Sequence, residues 1–170
     1  MRILSNNEWD PLKSIIVGDA TNANWPVNCP DFRKQEETTL WKETPVPSGP
    51  VSQQIISEAN EDLQYLADFL TSVGITVYRP GEIDFQARDG FYNYCPRDRL
   101  LVVGDTVIDT PMATACRDME REAYDFLECN YIKGSGRWDA ANVCRLNDDL
   151  LYLISESGDQ AGYEWLSDYF

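Results

Sequence analysis

Histidine is absent from all 170 residues of the chain. That single absence removes the side chain best suited to moving protons near neutral pH. Ser–His and Cys–His nucleophile activation, and most catalytic zinc sites, therefore cannot be built from this chain alone. Cysteines are few and unpaired in pattern. Cys29, Cys95, Cys116, Cys129 and Cys144 are odd in number, and no two stand at Cys-x-x-Cys spacing. Neither a disulfide framework nor a zinc site is expected, and no metal or other cofactor is implied. A reducing cytoplasm is the expected location. Basic residues are scarce, 14 Lys and Arg against 29 Asp and Glu, for a formal net charge of −15. Such a surface repels phosphate backbones and anionic headgroups, so no nucleic acid and no membrane is an expected partner. A small cation is attracted instead, although the same charge also serves solubility. No apolar run approaches the ~20 residues of a membrane-spanning helix. The first residues, Met1 to Asn7, turn polar too soon for a secretion signal. A phosphate-cradling glycine loop is missing too. Gly134-Ser135-Gly136 lacks the strand before it and the helix after it, and reads as a turn.

What is present is enough for one globular domain. Apolar residues make up 43% of the sequence, too many for a disordered chain. Ile15-Ile16-Val17, closed by Gly18, reads as a buried strand. Residues 19–50 shift to Asn, Pro, Thr and charge, with Trp25 and Trp41 as isolated anchors, and read as a long irregular connection. Ser52 is placed to cap a helix running to about Val73, with Ile56, Ala59, Leu63, Leu66, Ala67 and Leu70 on one face. Gly74 stops it, and a strand follows over residues 75–78. Strands are expected over residues 100–103 and 107–108, then a helix over 116–127 presenting Met119, Ala123, Phe126 and Leu127. Residues 142–145 and 150–154 read as a hairpin around Asn147-Asp148. A last helix, residues 161–170, carries Tyr163, Leu166 and Phe170 on one side and Trp165 and Tyr169 on another. A helix apolar most of the way round expects cover. A homo-oligomer, or a C-terminal portion beyond this chain, would supply it. The fold class expected is α/β, with one domain over residues 1–170.

Four segments carry a resemblance. The first is Asn7-Glu8-Trp9-Asp10-Pro11-Leu12 with Ile15-Ile16-Val17-Gly18. The second is Val77-Tyr78-Arg79-Pro80 with Ile83-Asp84-Phe85. The third is Pro96-Arg97-Asp98, then Leu100 to Gly104 and Thr110-Pro111-Met112. The fourth is Trp138-Asp139-Ala140-Ala141-Asn142, continuing to Gly162-Tyr163-Glu164-Trp165-Leu166. In this order they resemble the N-terminal part of the glycine amidinotransferase family, guanidino-group-modifying enzymes of the pentein fold. The resemblance implies a partial pentein, an α/β-propeller, of about three ββα-type modules. It also implies an amidinotransferase-like protein that acts on or binds the guanidino group of arginine or a related compound. The family moves an amidino group through a covalent amidino-cysteine. By the resemblance, Asp98 and Arg97 become substrate-binding residues and Asp139 a catalytic one. The family's histidine and nucleophilic cysteine have no match here. Asn142 stands where the family usually has a second aspartate.

The residues support that assignment on chemical grounds, beside a plainer reading. Guanidinium is planar, always charged, and offers paired N–H donors that fit a carboxylate. Asp98 could equally be a turn residue or an internal partner of the flanking arginines. Arg97 and Arg99 read either as structural ion-pair donors or as contacts for a substrate carboxylate. Asp139 could be a plain strand-start residue, but Trp138 and Ala140-Ala141 around it indicate a crowded setting in which a carboxylate needs partners. The five cysteines read as small buried hydrophobes rather than nucleophiles. The alternative to an enzyme is a catalytically inactive, shortened pentein that binds a guanidino compound or a protein partner.

Overall fold

The computed structural model describes residues 3–129 and 131–170. From the N-terminus come β1 (Ser14–Ile16), β2 (Asn24–Trp25), α1 (Pro30–Thr39), β3 (Gly49–Pro50), α2 (Gln53–Ser72) and β4 (Thr76–Tyr78). Next are α3 (Pro96–Arg99), β5 (Leu100–Val103), β6 (Thr106–Asp109) and a 3₁₀ helix over Ala115–Tyr124. The chain ends with β7 (Tyr131–Lys133), a 3₁₀ turn over Ala140–Asn142, β8 (Val143–Leu146), β9 (Asp149–Tyr152) and α4 (Gln160–Tyr169). These elements fall into two compact units. One, the α2 unit, comprises Lys13–Cys95 and Thr114–Tyr124. The other, the hairpin unit, comprises Met1–Leu12, Pro96–Ala113 and Asp125–Phe170.

In the α2 unit, β1 and β4 pair in parallel, Ser14 opposite Thr76, joined through α2. A parallel pair needs such a crossover. The Ser52 hydroxyl accepts from the Ile55 amide and so starts α2. Gly74, at φ +87°, ends it in a conformation that glycine adopts without strain. Ile56, Leu63 and Ala67 are the buried face, and Leu63 and Ala67 pack on Val17 with Ile15, Leu70 and Val77 alongside. Leu66, expected on that face, is exposed, because it lies a quarter-turn away from the line through Leu63 and Ala67.

Residues 19–50 are less irregular than expected. They contain α1 and the short antiparallel pair β2–β3. α1 buries only Phe32, so it has no amphipathic period to read. Its hold is local: Phe32 packs with Cys29, Cys116, Trp25 and Phe91, and Arg33 donates to the carbonyls of Pro47 and Val46 at 2.6 and 3.0 Å. Trp25 and Trp41 do anchor the segment, meeting edge-on at 5.8 Å. The helix expected over residues 116–127 is a 3₁₀ helix ending at Tyr124, and Phe126 is exposed. Three residues per turn align i with i+3, and Arg117 accordingly pairs with Glu120 at 2.6 Å, both buried.

In the hairpin unit, β5 and β6 are antiparallel and β7 joins β6 in parallel. β7 was not expected. The β8–β9 hairpin turns at Asn147-Asp148, with Asn147 at φ 65°. Asn142 lies in the 3₁₀ turn and not in the strand, and β9 ends at Tyr152 instead of Ile154. The core consists of Leu101, Ile108, Trp138, Ala140, Val143 and Leu166. Asp159 caps α4 by accepting from the Gly162 amide at 2.9 Å. Gly162 is where α4 meets the core: a Cβ there would lie 2.4 Å from a ring carbon of Trp138. No helix among the described residues is long and apolar enough to cross a membrane.

Candidate functional site

Pro96-Arg97-Asp98-Arg99 forms one helical turn that feeds directly into β5. Proline suits the first position of such a turn, where its missing N–H is not needed. The turn is pinned from its far end. The Thr110 hydroxyl, fully buried, lies 3.2 and 3.0 Å from the carbonyls of Asp98 and Arg99 and donates to them. Arg99 runs into the interior and pairs with Asp109 at 2.6 Å. Of the two arginines flanking Asp98, Arg99 is thus the structural ion-pair donor. Asp98 itself is half-buried.

Asp139 sits between Trp138 and Ala140, both fully buried, and is half-buried itself. It does not start a strand. It caps the Ala140–Asn142 turn in a reciprocal arrangement in which the Asn142 side chain accepts from the Asp139 amide at 3.1 Å. One Asp139 carboxylate oxygen accepts from the Ala113 amide at 3.4 Å. Nearby, burial pushes the Tyr152 hydroxyl up to about 12, and the charges of Asp159 and Asp139 push the same way. Asn142 has a full set of partners. It donates to the Leu153 carbonyl at 3.0 Å and to the Ser155 hydroxyl at 2.9 Å, and it accepts from the Ser157 hydroxyl at 3.2 Å.

Arg97 ties these two turns together. Its guanidinium donates to the Ala140 carbonyl at 2.5 Å and to the Val143 carbonyl at 2.7 Å. Glu8 approaches it at 3.7 Å and pairs more tightly with Arg145 at 2.7 Å. Burial lowers the Arg97 pKa from its usual value, with the Glu8 charge opposing. Arg145 in turn donates to the Val102 carbonyl and the Ser5 hydroxyl. The structure therefore brings Asp98, Arg97 and Asp139 onto two abutting turns within one unit. It gives Arg97 main-chain partners at both terminal nitrogens, so that Arg97 positions the turns. Glu8 and Arg145, which complete the clamp, were not singled out in the sequence. The signal for Glu8 was its place in the Asn7-to-Leu12 segment.

The cysteines divide into two groups. Cys29 and Cys116 are buried, and burial drives the Cys116 thiol far above its ordinary value. Cys95, Cys129 and Cys144 are half-buried, which corrects the expectation that all five are core residues. No cluster of three or more metal-binding side chains occurs among the described residues.

No protein-family profile matches the chain. Individual relatives do. The chain is 37% identical to inosamine-phosphate amidinotransferase 1 of Streptomyces glaucescens, over 95% of its own length and 58% of that protein's. It is 32% identical to the mitochondrial glycine amidinotransferase of Xenopus tropicalis, over 87% of its length and 37% of that protein's. Among solved structures, it superposes on the inosamine-phosphate amidinotransferase StrB1 of Streptomyces griseus with a TM-score of 0.90 at 35% identity, covering 98% of this chain and 59% of that one. It superposes on SxtG, an amidinotransferase of the saxitoxin pathway from Microseira wollei, with a TM-score of 0.83 at 26% identity, covering 99% and 59%. The fold is α/β and corresponds to part of a pentein. By sequence and by structure the chain is related to the amidinotransferases, and it spans under three-fifths of the length of the Streptomyces relatives.

Proposed function

We propose that this chain supplies the guanidinium-binding part of an amidinotransferase, with arginine or a related guanidino compound as its ligand. The observation that carries the reading is the Arg97 clamp, which holds the Asp98 and Asp139 turns side by side. In this reading Asp98 takes the paired N–H groups of the ligand guanidinium, the strongest geometry a carboxylate can offer it. Asp139, the cap of its turn and crowded by its neighbours, supplies the second negative charge and orients whatever proton carrier approaches. Arg97 positions both turns without being consumed by the ligand. The net charge of −15 favours the approach of a cation. Amidino transfer itself needs a thiolate to attack the central carbon and a proton donor for the departing amine. With no histidine in the chain, those groups would come from a further polypeptide segment or from another subunit. Without them the chain binds its ligand and does not turn it over.

Calorimetry on the 170-residue chain tests this. Arginine should bind, and Asp98→Asn should weaken binding at least about tenfold. Mixed with arginine and glycine, the chain should form no ornithine. Undiminished binding by the variant removes the assignment of Asp98, and measurable turnover removes the argument from the missing histidine.

A further inference from the structure

A polar pocket lies in the α2 unit, with neither Asp98 nor Asp139 in its wall. It encloses about 120 Å³, and Asp19, Thr21, Glu82, Ile83, Phe85 and Asn93 are among its lining residues. Ile83, Phe85 and Asn93 are buried and form its inner part, while Asp19 and Thr21 are half-exposed and Glu82 is exposed, forming the mouth.

Asn93 is the informative residue. It is only 3% exposed. Its side-chain oxygen accepts from the Tyr124 hydroxyl, and its carbonyl accepts from the Asp19 amide at 2.9 Å. The second contact holds the main chain and the first the side chain, and the amide nitrogen Nδ2 stays buried without a partner. A buried donor without an acceptor is costly, and native interiors rarely tolerate one. The remaining polar lining has the opposite chemistry. Asp19 and Glu82 present carboxylates, Asp19 partly balanced by Arg79 at 3.4 Å and by the Thr21 amide at 2.6 Å. Glu82 accepts from Asn22 at 3.2 Å.

This pattern discriminates among ligands. An isolated anion would satisfy Asn93 but meet two carboxylates. An isolated cation would suit the carboxylates but leave Asn93 unpaired. A single water fills only a fraction of the space, since each water takes roughly 30 Å³. A short zwitterion satisfies both ends and lays its carbon against Ile83 and Phe85. We propose that this pocket binds a small amino acid, of about glycine to serine size, with its carboxylate on Asn93 and its ammonium at Asp19 and Glu82. The site is independent of the guanidinium site and stands or falls separately from it.

NMR titration of the 170-residue chain with glycine tests the proposal, using acetate and methylammonium as half-ligands. Glycine should give saturable shifts at residues 19–21, 81–85 and 93, with each half-ligand at least about tenfold weaker. Asn93→Asp keeps the acceptor for Tyr124 but loses the donor, and should abolish binding. Glu82→Gln, at an exposed position, should weaken it several-fold, and it decides the matter if Asn93→Asp does not fold. The proposal is overturned by non-saturating shifts up to about 100 mM glycine, by glycine affinity unchanged in the Glu82→Gln variant, or by a glycine-soaked crystal with only ordered water on Asn93.

Discussion

One side chain at Asn142 meets four partners, two as donor and two as acceptor. An aspartate there would keep the acceptors and lose both donors, placing a carboxylate oxygen against the Leu153 carbonyl. Asn142→Asp should therefore destabilise the chain by about 1–3 kcal/mol, measured by urea denaturation, with no gain in arginine binding. At Glu8 the expected effect is on pH. The hydrogen bond from Arg145 holds the Glu8 carboxyl below its ordinary 4.5, against the opposing pull of burial. A depressed carboxylate stabilises the fold fully above its unfolded value, and that contribution disappears as pH falls through the lower folded value. Stability should thus decline below pH ~4.5, and Glu8→Gln should flatten that part of the acid profile. An unchanged profile in the variant would show that the Glu8–Arg145 pair contributes nothing.

Elements differ in how much of themselves they write into the sequence. α2 was legible because a cap, a 3.6-residue apolar period and a terminal glycine agree. The β8–β9 hairpin was legible from its Asn-Asp turn. α1 was not, since one phenylalanine and the Arg33 contacts to main-chain carbonyls hold it, and neither leaves a period. The same physics explains what was missed at the site. Asp98 and Asp139 stood out as motif residues, whereas the Arg97 clamp closes on backbone carbonyls of a turn more than forty residues away, and carbonyls have no letter in the sequence. At α4 the decisive feature is likewise contact. Gly162→Ala gains about 1 kcal/mol of helix propensity but drives a methyl into the buried Trp138 ring. Overpacking of that kind costs about 1–3 kcal/mol, so thermal stability should fall rather than rise. A more stable variant would mean that α4 can shift off the core.

For the whole molecule, the chain spans under three-fifths of its Streptomyces relatives. Leu151, Leu153, Ile154, Tyr163, Tyr169 and Phe170 are all exposed in the hairpin unit, and where such side chains adjoin they favour pairing with other protein. The expected result in sedimentation velocity is self-association at micromolar concentration, reduced in a Leu153→Lys, Phe170→Lys double variant. A monomer that stays monomeric and binds no hydrophobic dye would show that this surface needs no cover.

Trp138 gives all of this an optical handle. Its ring is sealed from solvent, its Nε1 donates to the Ser135 carbonyl at 2.9 Å, and it directly precedes Asp139. Trp9, by contrast, is open to water. Acrylamide should quench the exposed Trp9 first and the half-buried Trp25, Trp41 and Trp165 next, and the last blue-shifted emission, lost in a Trp138→Phe variant, is that of Trp138. That residual glow reports, without any label, whether the ground beneath Asp139 is still intact.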